Sequence, residues 1–152
     1  MTSPETAASA TKNLVDPRGP RFGAAITSVV LAVILVTAPS GLATALLALQ
    51  TAIFAVGAFG GLRLAPYGLL YKALLRPRLG PPGELEEEAP PRFAQAVGFG
   101  FAAVGLVALL LGWTGVAMAA VAMAFVAAFL NAAFGYCLGC EVYLLLRRVG
   151  TR

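Results

Sequence analysis

Two cysteines near the end of the chain are the residues best suited to chemistry. Cys137 and Cys140 are the only cysteines among the 152 residues, and their spacing is C-x-x-C. Thiols at this spacing can form a disulfide or act as a nucleophile with a resolving partner. Because the chain has no histidine, a metal site would need Glu141 with another ligand, or a second chain. We therefore expect thiol–disulfide or sulfur-relay chemistry with no metal and no cofactor, and thiols that merely pack at a helix end are the alternative.

The local sequence decides whether the two sulfurs can bond. In an unbroken helix, the β-carbons of residues i and i+3 lie about 5–6 Å apart. A disulfide favours about 3.8 Å, so a straight helix would oppose it. Gly135 can end the preceding helix, and a new interfacial helix over 137–148 would then place Cys137 in its first turn. This break would bring the sulfurs within bonding reach.

The two thiols are expected to differ in role. A helix N-terminus favours the thiolate of Cys137, whereas Glu141 disfavours the thiolate of the adjacent Cys140. We expect Cys137 to attack and Cys140 to resolve, with Glu141, Tyr136 and Asn131 as supporting residues.

Composition places these residues in a membrane protein. Hydrophobic residues make up 59% and charged residues 12%, against about 45–50% and about 25% in an ordinary soluble domain. This balance excludes a soluble globule and a disordered chain. No charged residue lies between Arg21 and Arg63, or between Arg92 and Glu141. A membrane-spanning helix needs about 20 apolar residues, so each gap can hold two spans.

Turn-forming residues divide each uncharged stretch. Residues 39–41 are Pro-Ser-Gly and residues 112–115 are Gly-Trp-Thr-Gly, which favour turns. The fold class predicted is an all-α integral membrane four-helix bundle. Its predicted spans cover 22–38, 42–62, 93–111 and 116–136. Counted from Val116, Cys137 lies roughly 32 Å along the last helix, near one edge of a hydrocarbon layer about 30 Å thick.

The cations predict the orientation. All eleven Lys and Arg precede the first span, lie between spans two and three, or follow the fourth. Cation-rich loops stay in the cytoplasm, so both termini should be cytoplasmic in a bacterial plasma membrane. The net charge of +4 is then explained by topology and anionic lipid, and no nucleic-acid partner is needed. A cleaved signal peptide over the first span would leave an odd number of spans and spoil this asymmetry.

The polar segments carry further expectations. Residues 1–12 should be disordered, with the membrane domain over 13–149. The segment 15–22 either anchors the chain at the membrane or forms an ordered cap in which Asp16 pairs with an arginine.

The central loop is expected to contain an amphipathic interfacial helix near 66–76. Tyr67 and Tyr71 would lie at the lipid headgroups. The glutamates within 84–88 either face solvent or dock a basic partner.

Small and polar residues within the spans predict packing. Gly57 and Gly61 form a GxxxG pattern, which lets helices approach closely. Packing within the bundle and a homodimer are alternative uses. Gln50 and Asn131 are expected to bond across helices or to backbone, and a functional role is the alternative for Asn131, which lies about two turns before the cysteines.

Three segments give the chain a family resemblance. They are VDPRGPRF at 15–22, APYGLLYKALLRPRLGPP at 65–82 and FGYCLGCEVY at 134–143. Over about 13–148 the chain resembles the bacterial family catalogued as domain of unknown function 4395. The resemblance implies a small four-span protein of actinomycete-type bacteria and carries over Cys137 and Cys140 as the family's cysteine pair.

The same resemblance bears on partners. Family members often occur near thioredoxin-like proteins and sulfurtransferases, which implies redox or sulfur traffic with a soluble partner of one of these classes. A transporter component for a small sulfur species, or a structural anchor for such a partner, are the alternatives.

Overall fold

The computed structural model describes residues 14–151, and helices dominate it. The helices are α1 (Arg18–Thr37), α2 (Gly41–Ala55), α3 (Pro66–Leu74), α4 (Arg76–Leu79), α5 (Ala89–Leu110), α6 (Thr114–Phe134) and α7 (Leu138–Gly150). Two short strands, β1 (Leu14–Val15) and β2 (Glu86–Glu87), pair antiparallel and were not predicted. The all-α class is confirmed. Residues 1–12, expected to be disordered, lie outside the described part of the chain.

Four helices are long and apolar enough to cross a membrane, as predicted. They are α1, α2 with the π-helical turn Val56–Gly60 that continues it, α5 and α6, and each has 20 to 22 residues. Each start falls one to four residues earlier than predicted. The four-residue shift at the start of α5 has a clear cause, since Pro90 and Pro91 suit the first helical turn.

The four long helices pack in a ring. α1 contacts α2 and α6, and α5 contacts the same two helices. Leu31, Ile34, Leu47 and Val121 are fully buried between them. At Gly105, an added β-carbon would lie 3.3 Å from Cγ2 of Val121, so the missing side chain lets α5 and α6 approach closely.

The two tight turns join the helices as predicted. Ser40 is the N-cap residue of α2, and its Oγ accepts a hydrogen bond from the amide of Ala43 at 3.1 Å. Gly112 lies between α5 and α6 with φ of +80°, a conformation that favours glycine.

The charged residues of the described chain all lie at the opposite end of the ring from these turns. Two arginines there each cap the end of a helix that packs beside their own. Arg21 Nε donates to the carbonyl of Ala132 at 3.2 Å, and Arg92 Nε donates to that of Ala58 at 2.7 Å. These bonds satisfy carbonyls at the ends of α6 and α2 that have no partner within their own helix.

The helix packing predicted from the GxxxG pattern is wrong in one respect. Gly61 lies outside the helix with φ of +91°, because the chain turns there. Gly57 does pack closely, since an added β-carbon would lie 2.9 Å from Oε1 of Gln95 on α5. Gly57 therefore serves packing within the chain.

The interfacial helix predicted near 66–76 is divided into α3 and α4, because Pro77 starts a second short helix. The two tyrosines expected at the lipid headgroups pack against α1. Tyr71 is 2% exposed, and Tyr67 is half-buried. Added β-carbons on Gly19 and Gly23 would lie 3.5 and 3.4 Å from Tyr71 and Tyr67. Two glycines four residues apart on α1 thus face two tyrosines four residues apart on α3.

Candidate functional site

The site begins where α6 ends. Gly135 adopts a left-handed conformation with φ of +68°. Its amide donates to the carbonyl of Asn131 at 3.0 Å, and the amide of Tyr136 donates to that of Leu130 at 3.2 Å. This pattern closes a helix C-terminus and lets the chain change direction. The break expected at Gly135 is therefore present.

The cysteines lie at the start of the next helix and form a disulfide. Cys137 is the N-cap residue of α7, and its Sγ accepts a hydrogen bond from the amide of Cys140 at 3.2 Å. The Cα atoms lie 5.2 Å apart, within the usual disulfide range of about 4.4–6.8 Å. The predicted second helix is thus confirmed, with bounds of 138–150 in place of 137–148.

A glycine between the cysteines holds α7 against α5. An added β-carbon on Gly139 would lie 2.6 Å from Cβ and 2.7 Å from Cα of Ala94. Even a methyl group is excluded at this contact. The rings of Phe93 and Tyr143 continue the same interface, with centroids 5.6 Å apart. Gly139 was missed at the sequence level, where its position inside the C-x-x-C was the available signal.

A small cavity adjoins the disulfide. It has a volume of about 100 Å³, and its wall includes Cys137, Asn131, Thr27 and Gln95. The structure therefore brings Asn131 and Cys137 to the same cavity. The Asn131 side chain makes no hydrogen bond within residues 14–151, so neither the cross-helix bond nor the backbone bond expected for it is seen.

The other two supporting residues lie elsewhere. Tyr136 is 47% exposed, and Glu141 is exposed in the first turn of α7. Neither lines the small cavity. Their catalytic support of the cysteines stays a prediction.

A row of hydrogen-bonded polar side chains extends from this cavity into the protein. Gln50, which is 1% exposed, accepts a hydrogen bond from the hydroxyl of Tyr67 at 2.7 Å. Its Nε2 lies 3.5 Å from Oγ1 of Thr27, a long hydrogen bond. The cross-helix bonding predicted for Gln50 is confirmed. Thr27 lines the small cavity, and Tyr67 lines a larger cavity of about 460 Å³.

The N-terminal segment forms the ordered cap. Asp16 pairs with Arg18 at 3.0 Å and accepts a hydrogen bond from the hydroxyl of Tyr71 at 3.0 Å. Arg18 also donates to the carbonyl of Gly80. Burial alone would raise the pKa of Asp16, but the bonds from Arg18 and Tyr71, with the charge of Arg18, outweigh it and hold that pKa below its usual value.

The glutamate-rich segment at 84–88 is largely exposed and also contacts other parts of the protein. Glu87 lies in β2 and contacts Arg147 at 3.4 Å, an ion pair whose two side chains are more than half exposed. Glu88 accepts a hydrogen bond from the amide of Leu62 at 2.8 Å. The segment therefore faces solvent, which is one of the two expected uses, and it also makes structural contacts.

Four apolar helices of spanning length, followed by a disulfide at the start of α7, define a multi-pass membrane protein with its C-x-x-C outside the spans. The model of the family described as Domain of unknown function (DUF4395) matches residues 15–148. The chain belongs to that family, which confirms the resemblance carried by its three segments. Neither the curated proteins nor the solved structures contain a match to the chain.

Proposed function

We propose that this protein performs thiol–disulfide or sulfur-relay chemistry at the cytoplasmic face of a bacterial plasma membrane. The observation that carries the proposal is the disulfide between Cys137 and Cys140 at the start of α7, beyond the last span. A structural disulfide needs no helix N-terminus at its first sulfur, whereas a reactive pair gains from one.

The proposed location rests on charge. The cations of the described chain share one end of a four-span bundle, and cation-rich ends stay in the cytoplasm. α7 exposes Val142, Leu145 and Val149 and ends with Arg147 and Arg148. Apolar residues combined with terminal cations suit a helix that lies on the inner leaflet. The thiols would then face soluble cytoplasmic proteins.

The proposed thiol–disulfide exchange has two steps. In the reduced protein, the Cys137 thiolate attacks a partner disulfide, forms a mixed disulfide and releases one partner thiolate. The Cys140 thiolate then attacks Sγ of Cys137, releases the second partner thiolate and closes the observed disulfide. Two electrons pass from the two cysteines to the partner, and a soluble thioredoxin-like dithiol restores them by the reverse steps.

The sulfur-relay form uses the same two thiols. The Cys137 thiolate attacks the outer sulfur of a persulfide on a sulfurtransferase, whose own thiolate leaves. Cys140 then attacks Sγ of Cys137 and releases hydrosulfide while the disulfide closes. The cavity beside Cys137 and Asn131, at about 100 Å³, is large enough for one small sulfur species.

The packing disfavours transport by a single chain. Leu31, Ile34 and Leu47 are fully buried in the half of the ring near the tight turns. The row of hydrogen-bonded polar side chains through Gln50 ends at Thr27 and Tyr67 and does not reach the half near the tight turns. A polar path across the bundle is therefore unsupported within residues 14–151.

The test is thiol trapping in native membranes, with and without an added thioredoxin-like dithiol protein. Unsubstituted protein should change from oxidised to reduced on addition of the dithiol. Cys140→Ser should trap a mixed disulfide through Cys137 when the partner is instead added in its disulfide form, whose sulfur the Cys137 thiolate attacks. Cys137→Ser should trap much less. If no variant forms a mixed disulfide and the double substitution to Ser leaves cell growth under thiol stress unchanged, the thiols are packing residues and an anchoring role replaces the proposal.

A further inference from the structure

Cationic side chains from separate parts of the chain line the larger cavity. It has a volume of about 460 Å³ and lies between the N-terminal cap, α1, the end of α2 and α3. Arg63 reaches its wall from the turn after α2, and Lys72 and Arg76 reach it from α3 and α4. Cavities of about 300–1,000 Å³ are typical of small-molecule sites.

The rest of the wall is suited to an amphiphile. Its apolar part includes Leu14, Val15, Ile53, Leu62 and Leu85. The cationic residues therefore border an apolar space.

The acidic residue in the wall is already neutralised. Asp16 is the one acidic side chain among the described residues that line the cavity. Its carboxylate accepts hydrogen bonds from Arg18 and from the hydroxyl of Tyr71. The positive charge of Lys72 and Arg76 is therefore available to a ligand that enters.

Membrane topology alone does not account for this arrangement. A cation that serves only to orient the protein needs no cavity. Arg78 is exposed, as Lys72 and Arg76 are, but it lies outside the wall. Lys72 and Arg76 lie four residues apart in sequence, and both line the cavity.

We propose that this cavity binds a phosphate-bearing anionic head group, held by Lys72 and Arg76 with its apolar portion against Ile53 and Leu62. Ammonium and guanidinium groups form charge-assisted hydrogen bonds to phosphate oxygens. The head group belongs either to an anionic lipid of the leaflet or to a soluble phosphate ester. The observations behind this site do not rest on the thiol chemistry proposed above.

The test measures ligand binding to the purified full-length protein in a neutral detergent. The probes are phosphatidylglycerol, zwitterionic phosphatidylcholine, glycerol 3-phosphate and inorganic phosphate, and native mass spectrometry or thermal stabilisation reports binding. Phosphatidylglycerol should bind more tightly than phosphatidylcholine. Competition by glycerol 3-phosphate would identify a soluble ester as sufficient, and its absence would identify the lipid. If none of the four probes binds, the proposal is overturned.

Matched variants separate the cavity from general surface charge. Lys72→Gln with Arg76→Gln should weaken phosphatidylglycerol binding by about tenfold or more, since each removes a charge-assisted contact. Arg78→Gln with Arg148→Gln removes the same charge outside the cavity and should change affinity less than about twofold. Equal losses in the two double variants would assign binding to the surface and overturn the proposal.

Discussion

At the scale of single residues, the start of α7 places the two cysteine sulfurs in different surroundings. Cys137 lies at the N-cap, where the amide of Cys140 points at its sulfur. Cys140 is the third residue of the helix, beside Glu141. An anion at a helix N-terminus is stabilised by unpaired amides and by the helix dipole. The observed hydrogen bond supports the prediction that a thiolate is favoured on Cys137.

We therefore predict that Cys137 reacts faster than Cys140. In inside-out vesicles, a membrane-impermeant maleimide should label Cys137 in the Cys140→Ser protein about two- to fivefold faster than Cys140 in the Cys137→Ser protein, the ratio expected from a helix-terminus effect of about 0.5–1 kcal/mol. Labelling from pH 6 to 9 should show reaction at lower pH for Cys137. Mild oxidation of the unsubstituted protein should block both sites. The prediction fails if the rates are equal or reversed.

A second residue-scale prediction concerns Asp16. Its pKa is held below the usual value in the folded protein, so its contribution to stability is fully present above about pH 4 and is lost as pH falls through the folded pKa. Asp16→Asn should lower the melting temperature in detergent at pH 7, and the difference from the unsubstituted protein should shrink towards pH 3. A difference that is the same at both pH values would contradict the ion-pair explanation.

At the scale of elements, one contact between α7 and α5 positions the whole site. Gly139 lies against Ala94 with no room for a β-carbon, and the aromatic pair of Phe93 and Tyr143 extends the interface. The disulfide is therefore held by an element distant in sequence as well as by its own helix.

Replacement of Gly139 by Ala should push α7 away from α5. We expect a loss of about 1–3 kcal/mol in stability, the usual cost of overpacking a tight contact, and a smaller fraction of protein with the disulfide closed. Gly100→Ala is the matched control, because Gly100 lies within α5 and an added β-carbon there meets nothing within 4 Å. Thermal unfolding in detergent and quantitative thiol titration measure the two effects. Equal behaviour of both variants would refute the packing argument.

Some elements could be predicted because the membrane constrains them strongly. Charged residues are costly in lipid, so the gaps between Arg21 and Arg63 and between Arg92 and Glu141 revealed the spans. Gly135 was predictable as a helix end because few residues adopt its conformation.

Other features depend on contacts between distant residues, which no local pattern contains. The burial of Tyr71 requires Gly19, more than 50 positions earlier, to face it. Gly139 gains its role from Ala94 on another helix. The cavity beside Cys137 likewise depends on how α1, α5 and α6 meet.

At the scale of the whole molecule, the charged end of the ring should face the cytoplasm. Reporter fusions at Gly41 and Thr114 should give an external signal, and fusions at Gly80 and Arg152 a cytoplasmic one, because every Lys and Arg within residues 14–151 lies on the Gly80 side. An external signal at Gly80 would invert the protein and place the cysteines on the opposite face.

Gln95 on α5 lies in the wall of both cavities, next to the Ala94 that supports α7. A single side chain thus borders the cation-lined space and the space beside the disulfide. If head-group binding shifts Gln95, the two sites are thermodynamically linked, and the linkage must be reciprocal. The factor by which phosphatidylglycerol changes the dithiol–disulfide equilibrium should then equal the factor by which reduction changes lipid affinity. Two independent titrations of the same preparation can compare these factors, and lipid composition would then regulate the oxidation state of the protein.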